Sequence, residues 1–390
     1  MQNFSHESSI VSASMTASEK EALPASLNKW QRLFTVRDVG HEHRDDERIY
    51  RILYFFYAPK YLSLGFAMAV TLNVVDVIMF DADEAARRLP LRNGLACYSA
   101  LFAHVILTYR KDILLDALYH ARLAAVILAK DATPEVKLAF EAAKNRKELF
   151  VWRFYPVYSF LMATTASLAT LSAPSVVNQI LAKQSLLLVG VKNIFDCYML
   201  TSCCASVTVL LTVLVDVHYT CAVLCREIGR RLETQRGVMY TRPVAATYSL
   251  VIESARAINT ATGHLLPHYV MATFTVPILS TASIVQSPEK ADIFDFLSLP
   301  LMFLFFGPIC EASQSMQNAS GAVSSRAYSG PWLDEHAPSR RVRLQIMLQS
   351  SARPLCFKVE GLGSLNRPLS RKLATSWFQY LQVLQNLRHN

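Results

Sequence analysis

Long apolar runs separated by short charged ones set the pattern of this chain. Windows of about 20 residues that are nearly free of charge fall at 61–80, 94–109, 154–182, 194–225, 264–286 and 294–309. A shorter apolar helix is predicted at about 373–387, close to the end of the sequence. An α-helix needs roughly 20 mostly apolar residues to cross a bilayer. The pattern therefore predicts an all-α membrane protein with seven transmembrane helices.

Between the second and third windows, DILLDALYHARLAAVILAKDATPEVKLAFEAAKNRKELF keeps apolar residues at helical spacing while gaining charge. It reads as extensions of two spans below the membrane, joined near 131–134, where Asp131 and Thr133 offer helix caps. The fourth span is expected to continue through CAVLCREIGRRLETQ, and AATYSLVIESARAINTATGHLL to lead into the fifth. Such extensions make a helical bundle able to hold subunits together. Residues 1–30 read as disordered, and 31–57 as a short helix leading to the first span. Pro156, Pro267, Pro277, Pro300 and Pro308 lie in or beside spans, where neighbouring groups satisfy the carbonyls that proline frees.

Charge sets the orientation. The net charge of +9 suggests nucleic acid, but the distribution argues for topology instead. With the N-terminus inside, the inner segments hold 8, 9, 6 and 9 Lys and Arg, 32 of the 39 in the chain. The positive-inside rule then places the N-terminus inside and the C-terminus outside. The first 50 residues are Ser-rich and charged, so the first span is expected to act as its own insertion signal. The sequons at Asn3 and Asn318 fall on the inner side, where they stay unmodified.

Candidate chemistry is sparse. The sequence has no P-loop, GxSxG, HExxH or CxxC, so no catalytic residues, metal site or cofactor are expected. Cys203 and Cys204 read as small packing residues. His104, His218, Asp196 and Asp216 are ionisable groups within or near spans, and such groups are functional candidates. In the outer parts of spans two, three, four and six, Tyr98, Phe102, Met162, Thr165, Ala169, Tyr198, Met199, Ser202, Phe294, Phe296 and Met302 combine aromatic and thioether groups with a few hydroxyls. That lining suits a small apolar ligand.

The final helix is too polar for a lone span. LATSWFQYLQVLQNLRHN carries Ser376, Gln379, Gln382, Gln385 and Asn386, and amides are costly to expose to hydrocarbon. Tyr380, Val383 and Leu387 share one face, with Asn386 beside it. Copies of this helix around an axis would place apolar rings at Val383 and Leu387, able to close a pore by dewetting. A packed terminal helix with polar contacts to its neighbours is the alternative.

These terminal residues carry a resemblance. Tyr328-Ser-Gly-Pro-Trp332, RRVRLQIMLQSSARPL ending at Leu355, Gly361, and Tyr380-Leu-Gln-Val383-Leu384-Gln-Asn386-Leu387-Arg388 together resemble the insect odorant receptor family. That resemblance implies a ligand-gated, non-selective cation channel with four subunits and an inner anchor domain. Its last helix would line the pore. Tyr380, Val383, Asn386 and Leu387 then take pore and gate positions, and a small volatile odorant is the ligand.

Gln379, Gln385 and Asn386 depart from the ending of the shared co-receptor Orco, and the long insertion between spans four and five of Orco is missing. Both departures point to an odour-specific subunit that joins Orco in a heterotetramer. The implied setting is the plasma membrane of a sensory dendrite, with the lipid bilayer and no nucleic acid as partner. The expected organisation is an N-terminal segment at 1–57, six spans with ligand pocket and extensions at 58–325, an anchor helix and link at 326–362, and the pore helix at 363–390. A gustatory receptor channel is an alternative, although Gln379, Asn386 and Leu387 break its terminal pattern. A G-protein-coupled receptor would need the opposite orientation, and a transporter would be expected to show internal repeats.

Overall fold

The apolar windows fold as helices in the computed structural model, which describes residues 54–79, 84–130, 154–172, 175–235, 238–286 and 288–389. In order come α1 (Tyr61–Met79), α2 (Glu84–Tyr109), α3 (Lys111–Lys130), α4 (Tyr155–Ser172), α5 (Val176–Gln184), α6 (Leu186–Thr234), α7 (Val238–Thr262) and α8 (Leu266–Gln286). Next, α9 (Ile293–Ser298) leads through a π-helical turn, Met302–Phe306, into α10 (Gly307–Ser329). After α11 (Ala337–Ala352), a small antiparallel hairpin of β1 (Lys358–Val359) and β2 (Gly363–Ser364) precedes the final helix α12 (Arg367–His389). The expected N-terminal disorder, most of the helix at 31–57 and the join at 131–134 lie outside the described residues.

Among the described residues, four stretches are long and apolar enough to cross a membrane, namely α1, α6, α8 and the run 293–329. A fifth forms if α4 and α5, bent by 59° to each other, count as one. The second and seventh expected spans are occupied by α2 and α12, whose polar side chains dilute their apolar character. Leu64 and Ile78 of α1, Phe160 and Leu168 of α4, and Leu187 and Ile194 of α6 are exposed. These apolar faces are of the kind that lipid covers. The end of the bundle that holds Arg92 and Ser185 is called outer below, and the end that holds Glu227 and Trp332 inner, following the charge asymmetry.

The bend between α4 and α5 differs from the single run expected at 154–182. Pro174 follows Ala173 in the sequence, and the residue before a proline is driven out of the helical region. A new helix then starts at a cap, because the Ser175 hydroxyl accepts from Asn178 N at 3.1 Å. Asp76 at the outer end of α1 accepts from Val177 N and from Ser175 Oγ, both at 3.0 Å, which ties the break to α1. The Ser185 hydroxyl in turn caps α6 through Leu187 N at 3.2 Å.

Helix α6 is the central pillar, 49 residues long, and it carries the extension expected for the fourth span. It packs against α10, α2, α4 and α7. At its inner end the helix leaves carbonyls with no partner of its own, as every α-helix does. The Arg343 side chain of α11, almost fully buried, donates to the carbonyls of Leu232 and Gln235 and pairs with the buried carboxylate of Glu335. This arrangement gives Tyr328-Ser-Gly-Pro-Trp332 a physical cause. A Cβ on Gly330 would overlap the Leu232 carbonyl oxygen and sit 2.8 Å from the Arg343 guanidinium, so only glycine lets this corner approach α6. Tyr328 and Trp332 close over it, with ring centroids 5.9 Å apart. Nearby, α3 and α7 pack side by side, and Ser254 Oγ donates to the Ala117 carbonyl at 2.8 Å.

Candidate ligand cavity and final helix

A cavity of about 640 Å³ opens between α2, α4, α6, α8 and α9 with the turn that follows it. Its walls are largely apolar, from Ala96, Met162, Ala166, Val207, Val276, Phe294, Leu301 and Phe305. Asn93 and Leu200 also border a second, more polar cleft of about 480 Å³ at the outer end, which includes Asp76, Lys192, Asp196 and Met199. Lys192 and Asp196 pair there at 2.8 Å.

Prolines shape the inner wall. Pro308 has no N–H for the carbonyl of Leu304, four residues earlier, so the ordinary α-helical bond to that oxygen is missing. The Tyr155 hydroxyl donates to it at 2.8 Å. One turn further along α4, the Tyr158 hydroxyl donates at 2.5 Å to the Leu297 carbonyl, at the end of α9. Two tyrosines of α4 thus hold the irregular backbone on both sides of Leu301. π-Helical turns of this kind concentrate at functional sites.

The outer roof is electrostatic. Arg92 of α2 pairs with Asp295 of α9, both deeply buried, and its guanidinium lies 5.0 Å from the centroid of the Phe294 ring. Ser283 Oγ of α8 donates to the second oxygen of Asp295 at 3.2 Å, and Asp292 and Asp295 form a reciprocal cap on α9. Three helices therefore meet at one ion pair above the cavity.

Of the pocket residues expected from sequence, Met162 and Phe294 line this cavity. Met199 faces the outer cleft instead. Tyr98 and Phe102 turn toward α8, where Tyr98 Oη lies 2.9 Å from His268 Nδ1 and Phe102 stacks on the His268 ring at 4.4 Å. Tyr198 faces α1, its hydroxyl 3.2 Å from Tyr61 Oη. The Thr165 hydroxyl folds back onto the Leu161 carbonyl at 2.9 Å, and Ala169 is half-buried outside the walls. Ser202 and Met302 are buried but do not border the cavity, and Phe296 is exposed. Asn93, Thr208, Thr273, Val276, Leu301 and Phe305 were not anticipated. Two of these come from α8, a helix that the sequence reading left out of the pocket. The proline-rich FLFFGP run was the available signal for Phe305.

Two of the ionisable candidates, His104 and His218, are held by partners within the bundle. His104 lies between Ser63 Oγ at 2.9 Å and the Pro59 carbonyl at 3.1 Å, which joins α2 to the start of α1. His218 bonds within its own helix to the Leu214 carbonyl at 2.5 Å and packs its ring 4.4 Å from Phe357.

In α12, Asn366 caps the helix by accepting from Leu369 N at 3.0 Å, and Arg367 forms a fork with Glu311 of α10. The helix packs on α8 and α10. Leu384 is buried, with Leu373, Trp377 and Tyr380 half-buried beside it. Trp377 meets Phe303 of the π-helical turn edge-on, ring centroids 5.8 Å apart. The opposite face exposes Thr375, Gln379, Gln382, Val383 and Asn386, a polar stripe broken by one valine. The side chain of Leu387 lies outside the described residues.

No family model and no curated protein sequence matches the chain. Among solved structures, it is similar to the insect olfactory receptor OR5 from Machilis hrabei in complex with eugenol, with a TM-score of 0.66 and 10% identity over 93% of this chain and 99% of that one. A further structure of the same receptor gives a TM-score of 0.64 at 12% identity over the same shares. At that identity the likeness is one of fold, and the chain has the fold of an insect olfactory receptor.

Proposed function

We propose that this chain is the odour-binding subunit of a ligand-gated, non-selective cation channel. It crosses the plasma membrane of a sensory dendrite seven times, N-terminus inside and C-terminus outside. The observation that carries the reading is an apolar cavity joined to the final helix through one turn, on a fold shared with a receptor whose structure holds eugenol. The ligand is a small volatile, held mainly by burial of apolar surface. Phe305 meets it from one side of the π-helical turn, while Phe303 of the same turn presses on Trp377 of α12. Occupancy that shifts this turn moves the final helix, and a differential affinity of a few kcal/mol between closed and open states is enough to redistribute them.

The exposed stripe of Gln379, Gln382 and Asn386 faces the pore axis in the assembly, and Val383 with Leu387 forms the constriction. Tyr380 supports that face from the edge of the packing surface. Because its amides depart from the co-receptor ending, the chain supplies a minority of the pore walls beside Orco. The anchor built around Arg343 and the inner end of α6 holds the subunits together. Inside-out patches from cells that express the chain with Orco test the reading. Odour-evoked cation current without added nucleotide is expected, and silence across a broad volatile panel, with the protein at the surface, would refute it.

A further inference from the structure

Among the described residues, the cavity walls carry no ionisable side chain other than cysteine, so a charged ligand would be buried there without a counter-ion. The polar atoms in those walls are more informative. Ser99 Oγ, Thr273 Oγ1 and Cys203 Sγ already donate to the carbonyls of Tyr269, Val270 and Ala96, at 3.3, 2.7 and 3.2 Å.

Asn93 is different. It is only 4% exposed, and its Nδ2 donates to Thr170 Oγ1 at 2.9 Å. The hydrogen of the Thr170 hydroxyl is committed to the Ala166 carbonyl at 2.8 Å, so Thr170 can only accept from Asn93. That fixes the amide orientation. Asn93 borders the cavity, and its Oδ1 is left buried with no hydrogen-bond partner among the described residues.

Resting on the reading of this cavity as an odorant site, we infer that it selects neutral molecules bearing a hydroxyl, alcohols or phenols, whose O–H donates to Asn93 Oδ1. A buried acceptor without a donor is costly, and a ligand that supplies the donor recovers that cost. Thr208 also lines the cavity, and its Oγ1 has no partner among the described residues. A threonine hydroxyl both donates and accepts, so it binds an ether oxygen as well as an alcohol and cannot discriminate between them. It also lies eight residues beyond Leu200, about 12 Å along α6, whereas Leu200 and Asn93 mark the outer end shared with the cleft. Discrimination therefore belongs to Asn93.

The test is equilibrium binding of 1-octanol and its isomer 1-methoxyheptane to the purified chain in lipid nanodiscs. The two have the same atoms, and only the alcohol can donate. The alcohol is expected to bind about tenfold tighter, the factor that one neutral hydrogen bond supports. Asn93→Leu should bring the alcohol to the level of the ether, while Thr208→Val should leave their ratio unchanged. Equal affinities in the unaltered protein, a ratio that survives Asn93→Leu, or binding of neither isomer would overturn the inference. If Asn93→Leu does not fold, the comparison in the unaltered protein still decides. A binding preference without evoked current would refute the channel reading and support this assignment. Currents evoked equally by both isomers would do the reverse.

Discussion

Arg343→Met removes one side chain and leaves several groups stranded. In the native chain Arg343 Nε donates to Glu335 Oε2 at 3.1 Å and Nη2 to the Gln235 carbonyl at 3.1 Å, with further bonds to Glu335 Oε1 and the Leu232 carbonyl. Both partners of the ion pair are buried, at 1% and 2% side-chain exposure. Methionine fills similar space but leaves the Glu335 carboxylate with no counter-ion and two carbonyls at the inner end of α6 without this donor. Breaking a buried pair from one side costs roughly 3–5 kcal/mol, a large share of the ~5–15 kcal/mol that holds a typical protein folded.

The double variant Arg343→Met/Glu335→Gln removes the charge as well, and should recover a substantial part of that loss. Thermal unfolding of the purified chain in one fixed detergent is the assay. At about 2 °C per kcal/mol the single variant is expected to lower the midpoint by roughly 6–10 °C, with the double variant in between. A midpoint within 1–2 °C of the unaltered protein, on the same scale, would show that the corner between α10 and α11 does not hold the inner end of α6. The reasoning would then fail, along with the anchor role assigned to it.

Three shorter predictions come from other positions. Gly330→Ala places a methyl group against the Leu232 carbonyl, so the same midpoint should fall by an amount comparable to Arg343→Met, and an unchanged midpoint would contradict the close approach. Val383→Ala widens the apolar constriction proposed for the final helix, so basal leak or altered ion selectivity is expected in patch recordings, and native currents would sink the gate assignment. Burial raises the pKa of Glu227, but hydrogen bonds and charge from Arg230 and Arg231 outweigh it and hold the carboxyl below its ordinary value. Its stabilising contribution is therefore present above the unfolded pKa of ~4.3 and is lost as pH falls through the lower folded value. The midpoint difference between the native chain and Glu227→Gln should be constant near neutrality and shrink only in acid, and a difference that widens in acid would reverse the sign.

How much of the site could be read in advance differs from one element to the next. The 49-residue α6, with its extension past Cys225, was legible because helical periodicity and the onset of charge are local properties. The same holds for the final helix, whose amides Gln379, Gln382 and Asn386 fall along one exposed face. The pocket was far less legible. In a soluble helix the apolar stripe marks the buried side, but in a span both the lipid face and the packed face are apolar. Tyr98, Phe102 and Tyr198 were plausible cavity walls by composition, and the neighbouring α8 and α1 turned them elsewhere.

Only the tertiary structure brought Thr273 and Val276 of α8 to the cavity, bent the third run into α4 and α5, and left Asn93 Oδ1 buried without a partner among the described residues. Each of those outcomes depends on a partner far away in sequence, such as Thr170 for Asn93 or Asp76 for the α5 cap. By itself the sequence determined that the chain is a bundle of apolar helices with unevenly spread basic residues and a polar last helix, since hydropathy and charge act residue by residue. Tertiary structure decided which faces meet and what chemistry they enclose, because a helix surface takes on a role only when another surface is set against it.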